Sequence, residues 1–89
     1  METKVAVLSI IIDDLGSVER VNELLHQYNE FIIGRMGLPY RQKNVHVICI
    51  ALDAPMDRIN ALSGSLGRLE GVSAKASCAK AERLDTLGE

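Results

Sequence analysis

Two histidines and two cysteines are the residues of this chain that could bind a metal ion or form a disulfide. His46 and Cys49 lie three positions apart in the segment HVIC, which has the composition of a β-strand. Side chains three positions apart on a strand point to opposite faces, so these two cannot bind one metal ion within a single chain. The chain has no CxxC or HExxH motif that would bring His26 or Cys78 into a site. We therefore predict no metal site, no cofactor and two reduced cysteines.

The first turn, Asp13–Ser17 (DDLGS), is a candidate ligand site because it joins a strand-like segment to a helix-like one. A helix N-terminus leaves backbone N–H groups free, and a small anion or an amino-acid carboxylate can bind them. The same residues also suit an ordinary capped turn, with Ser17 as the N-cap. The candidate ligand-binding residues are Asp13, Asp14, Leu15, Gly16 and Ser17.

A second candidate is the one concentration of positive charge, formed by Arg35, Arg41 and Lys43. It could bind an acidic ligand or partner protein, or it could be solvated surface charge. The whole chain carries a formal net charge of −2 and has an isoelectric point near 5.6. Nucleic-acid binding proteins are usually basic, and one Phe and two Tyr without Trp cannot form a base-stacking platform. We expect no direct nucleic-acid partner.

No residue pattern indicates a catalytic group. Ser63 and Ser65 have no histidine or lysine at catalytic spacing, and no pair of carboxylates suggests acid–base chemistry. The string Gly64–Gly67 (GSLG) resembles a nucleic-acid-binding GxxG loop, but it lies within a leucine-periodic segment. Glycine inside a helix costs about 1 kcal/mol relative to alanine. We therefore predict that these glycines allow the helix to approach a neighbouring element closely.

Four segments have the character of β-strands. Residues 4–12 (KVAVLSIII) and 44–53 (NVHVICIALD) are apolar on both faces, which is typical of central strands. Phe31–Met36 and Val72–Cys78 are more polar and are predicted to be edge strands. Residues 37–44, which contain a proline, are predicted to form a loop.

Two further segments have apolar residues spaced three, four and three apart, which predicts one buried stripe on each of two helices. Asp53 is the expected N-cap of the second helix, and Gly71 is the residue expected to end it. The first stripe, within Val18–Glu30, comprises Val18, Val21, Leu25 and Tyr28, and the second comprises Ile59, Leu62, Leu66 and Leu69.

The order β-α-β-β-α-β predicts an α+β fold, the ferredoxin-like sandwich, with a four-stranded antiparallel sheet and two helices on one face. Its spatial strand order is fourth, first, third, second, which places both doubly apolar strands in the centre. Cys49 and Cys78 would then lie about 9–10 Å apart, too far for a disulfide. A length of 89 residues predicts one domain, residues 1–78, with a polar tail at 79–89.

Helices on one face leave the other face of the sheet uncovered. Either Val5, Val7 and Ile11 or Leu8, Ile10 and Ile12 would be exposed there, together with one face of Val45–Leu52. A contiguous apolar patch of this kind usually marks an interface. We expect a homodimer, or a dimer of dimers, that buries the open sheet face.

The apolar start of the chain is predicted to be a buried strand and not a targeting segment. It follows the single Lys4 and runs into Asp13-Asp14 without a small-residue cleavage site. No apolar run approaches the roughly 20 residues of a membrane span. We expect a cytoplasmic protein with no membrane partner.

Three separated motifs stand along the chain at residues 21–26 (VNELLH), 34–40 (GRMGLPY) and 61–72 (ALSGSLGRLEGV). In sequence and in order they resemble those of the iron-only hydrogenase system regulators. The resemblance runs from about Val5 to Ser77 and implies a small ACT-like domain that works in assemblies. That family is similar to the C-terminal regulatory domain of nickel-responsive repressors. The repressors' metal site is not carried over, because Gly37 and Pro39 stand at the histidine positions and Val45 at the cysteine position.

The resemblance implies a non-enzymatic, ACT-like regulatory module of the hydrogenase system that senses a small ligand or docks on a partner protein. The alternative is a small-substrate enzyme or a metal-handling protein on the same scaffold. An acylphosphatase would need an arginine-bearing loop after the first strand, and a metallochaperone would need an MxCxxC motif there. This turn instead contains Asp13-Asp14 and no cysteine.

Overall fold

The computed structural model describes residues 2–80 as one four-stranded antiparallel sheet with two helices. In space the second strand is followed by the third, the first and the fourth, so the predicted ferredoxin-like α+β fold and its strand order are confirmed. Residues 81–89 of the predicted tail lie outside the described residues. The elements are β1 (Lys4–Ile12), α1 (Val18–Gln27), β2 (Ile32–Tyr40), β3 (Val45–Ala54), α2 (Met56–Gly67) and β4 (Val72–Cys78).

The alternation along β1 determines which face of the sheet the helices cover. Its even-numbered residues from Ala6 to Ile12 are at most 1% exposed, whereas Val5, Val7 and Ile11 are 46–48% exposed. The first of the two predicted alternatives is therefore confirmed. In the pairing with β3, Leu8 lies opposite Ile50 and Ile10 opposite Ile48, so the buried side chains form one continuous layer.

The core lies between this layer and the helices, and it confirms both predicted stripes. Val18 and Tyr28 of the first stripe and Leu69 of the second pack at the margin of the core. Burying a side chain of this kind contributes about 1.5–3 kcal/mol, so the stripes are sufficient to fix both helices to the sheet. The buried helix residues are Val21, Leu24 and Leu25 on α1, and Ile59, Leu62 and Leu66 on α2.

Neither predicted side-chain cap forms. Ser17 occupies the N-cap position of α1, but its hydroxyl donates to the carbonyl of Glu70 at 2.7 Å. Asp53 lies inside β3, and Pro55 is the N-cap of α2. The local capping preference of Ser17 is overridden because its hydroxyl bonds a carbonyl 53 residues away.

β2 is longer than predicted, because residues 37–40 continue the strand and do not form a loop. Pro39 lies within it, opposite His46. Proline is tolerated there because an edge strand needs no N–H donor on its outer side. A short 3₁₀ turn, Arg41–Lys43, and the left-handed Asn44 (φ 52°) then lead back to β3.

The glycines near the end of α2 are used differently from the prediction. A Cβ at Gly64 would meet only Arg68 Nη1, at 3.9 Å, and one at Gly67 would meet nothing within 4 Å. The predicted close approach of the helix at these glycines is therefore wrong. α2 ends at Gly67, and Gly71 instead has a φ of +68°. A Cβ at Gly71 would lie 2.4 Å from Asp14 Cβ, so this is the glycine that close contact requires.

Candidate functional site

The first turn is built mainly as a hydrogen-bonded connection between β1 and α1. The carboxylate of Asp14 accepts the N–H of Gly16 at 3.0 Å, and its carbonyl accepts the N–H of Ser17 at 2.9 Å. The N–H of Asp13 is also bonded, to a backbone carbonyl at 2.8 Å. Three of the N–H groups that the sequence offered as anion donors therefore already have partners.

The acidic side of the first turn faces the connection between α2 and β4. The Asp13 N–H donates to the carbonyl of Gly71, and a Cβ at Gly71 would lie 2.7 Å from Asp13 Oδ1. Because β1 lies between β3 and β4, this contact is on the β4 side of the strand. Leu15, the exposed apolar residue of the turn, instead lines a pocket with residues of the β2–β3 connection.

The three predicted basic residues do not come together in one cluster. Arg35 lies opposite the buried Ile50 and donates a hydrogen bond from its guanidinium to the side-chain oxygen of Asn22 on α1. Arg41 and Lys43 lie beyond the C-terminal end of β2, in the 3₁₀ turn. Of the three, only Arg41 contributes to the pocket that also contains Leu15.

This first-turn pocket has a volume of about 160 Å³ and combines one residue from each predicted site, Leu15 and Arg41. The sequence pattern treated His46 only as a strand histidine. Its pairing with Ile12, at the end of β1, brings it beside the first turn, and a predicted β1–β3 register could have indicated this. An arginine and a histidine among mainly apolar walls suit a small anion with a short apolar body. The lining residues are Leu15, Pro39, Tyr40, Arg41, Asn44, Val45 and His46.

The second candidate site is the open sheet face, which consists of the strand side chains that point away from the helices. Its centre is apolar apart from Ser9 and spans three adjacent strands, β1, β3 and β2. Its margin on β4 is polar, with Ser73, Lys75 and Ser77. The apolar residues are Val5, Val7 and Ile11 on β1, Val45, Val47, Cys49 and Ala51 on β3, and Met36, Leu38 and Tyr40 on β2.

His46 and Cys49 lie on opposite faces of the sheet, as predicted. Cys49 lies opposite Ser9 on the open face, whereas His46 lies opposite the buried Ile12. Cys78 is on the helix-covered side, with its Sγ 3.9 Å from Met56 Sδ, and both cysteines are free thiols. Within residues 2–80, no three His, Cys, Asp or Glu side chains are grouped so that they could hold a metal ion. In the same part of the chain, no helix has the length and apolarity needed to cross a membrane.

Comparisons with known proteins place these features in a family. Residues 4–76 match the family model described as "TM1266-like: Iron-only hydrogenase system regulator, putative". A search of curated proteins gave no match. Among solved structures, the protein TM1266 from Thermotoga maritima is 39% identical, with a TM-score of 0.85, over 89% of this chain and 100% of that one.

A more distant structure shows the fold alone. A formyltetrahydrofolate deformylase from Pseudomonas putida KT2440 is 18% identical, with a TM-score of 0.61, over 89% of this chain and 30% of that one. The likeness supports the ferredoxin-like fold. The family match covers most of the chain, and the Thermotoga maritima structure agrees with it in sequence and in fold. The chain therefore belongs to the TM1266-like family.

Proposed function

We propose that this protein is a non-enzymatic regulatory module of the iron-only hydrogenase system, and that it acts as a homo-oligomer assembled through the open sheet face. The family description supports a regulatory role. The single observation that carries the proposal is the open sheet face itself. Val7, Ile11, Met36 and Leu38 are each about half exposed there (46–54%), on the two strands that flank β3. An exposed apolar patch of this kind usually marks a surface that a partner covers.

The size of the open sheet face suits a second copy of the chain. Four strands spaced about 4.8 Å apart and roughly eight residues long form a face of about 500 Å² in projection. Two such faces would bury about 1,000 Å² or more in total, which reaches the lower range of specific protein interfaces. The apolar centre and the polar margin on β4 also reproduce the core and rim of such interfaces. A twofold axis through the centre would place apolar strands against apolar strands.

The composition of the two candidate sites supports binding. The first-turn pocket and the open sheet face combine exposed apolar side chains with charged groups near solvent, an arrangement suited to ligand sensing or protein docking.

The mass of the purified protein in solution tests the assembly. We expect sedimentation or light scattering to give at least twice the chain mass of 9.7 kDa at micromolar concentration. A mass of one chain at 100 μM would contradict the proposal. A thermal-shift screen of amino acids, nucleotides and divalent metals on the oligomer then distinguishes the two regulatory modes. A ligand-induced shift would support sensing, whereas a stable oligomer with no shift would favour docking on a partner protein.

A further inference from the structure

We propose that the first-turn pocket binds a small organic monocarboxylate, with Arg41 as the main carboxylate-binding residue. The guanidinium of Arg41 can donate two parallel N–H bonds to a carboxylate, which a lysine cannot do. His46 adds a ring N–H donor, and it retains at least one such donor in either protonation state. Leu15 and Val45 supply apolar walls for the rest of the molecule.

The charge distribution around the pocket favours an anion. None of its lining residues is Asp or Glu. The nearest acidic side chains in sequence, Asp13 and Asp14, lie at Gly71 on the other side of β1. Among residues 2–80, Arg41 takes part in no ion pair, so its charge is available to a ligand. The absence of a lining carboxylate also argues against a zwitterion, because the ammonium group of an amino acid would have no anionic partner.

The volume of the pocket favours a small ligand. The pocket has a volume of about 160 Å³, whereas pockets for drug-sized ligands are about 300–1,000 Å³. A nucleotide would therefore extend well beyond this pocket. A carboxylate of about six non-hydrogen atoms, such as pyruvate or isobutyrate, matches the available space.

The position of the pocket would connect ligand binding to assembly. Tyr40 and Val45 line the pocket and also belong to the open sheet face. A bound carboxylate would therefore contact side chains at the end of the interface between two copies. This connection rests on the proposed function, whereas binding of the carboxylate does not require it.

Binding is tested with the 89-residue protein by ¹H–¹⁵N NMR titration against isobutyrate and pyruvate. Isobutyramide serves as the neutral probe of the same shape, and inorganic phosphate as an anion without an apolar body. We expect saturable shifts at residues 15 and 40–46 with half-saturation near 1 mM, as ligands of this size allow. Isobutyramide and phosphate should bind at least tenfold more weakly. Equal binding of phosphate, or no saturation by either carboxylate below 50 mM, would overturn the proposal.

Two variants separate a specific site from general surface charge. Arg41→Gln should weaken isobutyrate binding at least tenfold, whereas Lys43→Gln should change it less than twofold. Both residues are exposed in the same 3₁₀ turn, but only Arg41 lines the pocket. An equal loss of isobutyrate binding in both variants would indicate nonspecific attraction to surface charge and would also overturn the proposal.

The molecular mass of the same samples distinguishes this inference from the proposed function. Carboxylate binding that depends on Arg41 in a monomeric protein would support the pocket and contradict the oligomer. An oligomer without carboxylate binding would contradict the pocket alone.

Discussion

Val7→Glu should convert the proposed homodimer into a folded monomer. Val7 lies in the apolar centre of the open sheet face and is 46% exposed in the single chain. Covering the exposed half of a valine contributes about 0.7–1.5 kcal/mol. Burying an unpaired carboxylate in its place costs about 3 kcal/mol or more. A twofold interface contains both changes twice, so the dimer should lose at least about 7 kcal/mol, a weakening of Kd by about 10⁵ or more.

Sedimentation velocity at 1, 10 and 100 μM measures this directly, with Lys75→Glu as the matched control. Lys75 is on the same face but at the polar margin on β4, so its replacement should change Kd only a few-fold. Circular dichroism should show the same melting curve for the Val7→Glu monomer as for a diluted wild-type monomer, because position 7 points away from the helices. A Val7→Glu protein that remains dimeric at 10 μM would refute the assignment of the interface to this face.

Three further substitutions test the account of the fold, each by urea unfolding. Gly71→Ala should lower the free energy of unfolding by about 2–5 kcal/mol, because the left-handed φ of +68° and the 2.4 Å approach to Asp14 Cβ both oppose a side chain. An unchanged free energy of unfolding would contradict this. Gly64→Ala is the matched control, because Gly64 lies in an open helical position. It should raise the free energy of unfolding by about 0.5–1 kcal/mol. A loss of stability would instead support the close helix approach predicted from sequence. Ser17→Ala should lower the free energy of unfolding by about 1 kcal/mol, because the hydrogen bond to the carbonyl of Glu70 is lost. A gain in stability would indicate that this bond is not formed in solution.

The fold could be predicted from sequence because its determinants are periodic. β1 and β3 are apolar on both faces, and the two helix stripes repeat with the same spacing, so both the topology and the central strands follow. Local rules failed where tertiary contacts decided the outcome. Pro39 indicated a loop but lies in an edge strand, and Ser17 indicated a cap but bonds the carbonyl of Glu70.

The candidate site could be predicted only in parts. Leu15 and Arg41 were each proposed from sequence, but their meeting depends on the length of β2 and on the β1–β3 register. Arg35 was grouped with Arg41 because they are near in sequence. The alternation along β2 turns Arg35 towards α1, where it bonds Asn22.

The bonds between the first turn and the α2–β4 connection also have a kinetic consequence. Asp13 and Ser17 reach carbonyls more than 50 residues away, so these bonds form only after most of the chain has been ordered. β4 is an edge strand, and strands of this kind are among the first to open locally in a native protein. The amide hydrogen of Asp13 should therefore exchange at a rate similar to those of β4, although Asp13 adjoins the central strand β1. Opening of the last strand would release the first turn, and the Leu15 wall of the pocket with it.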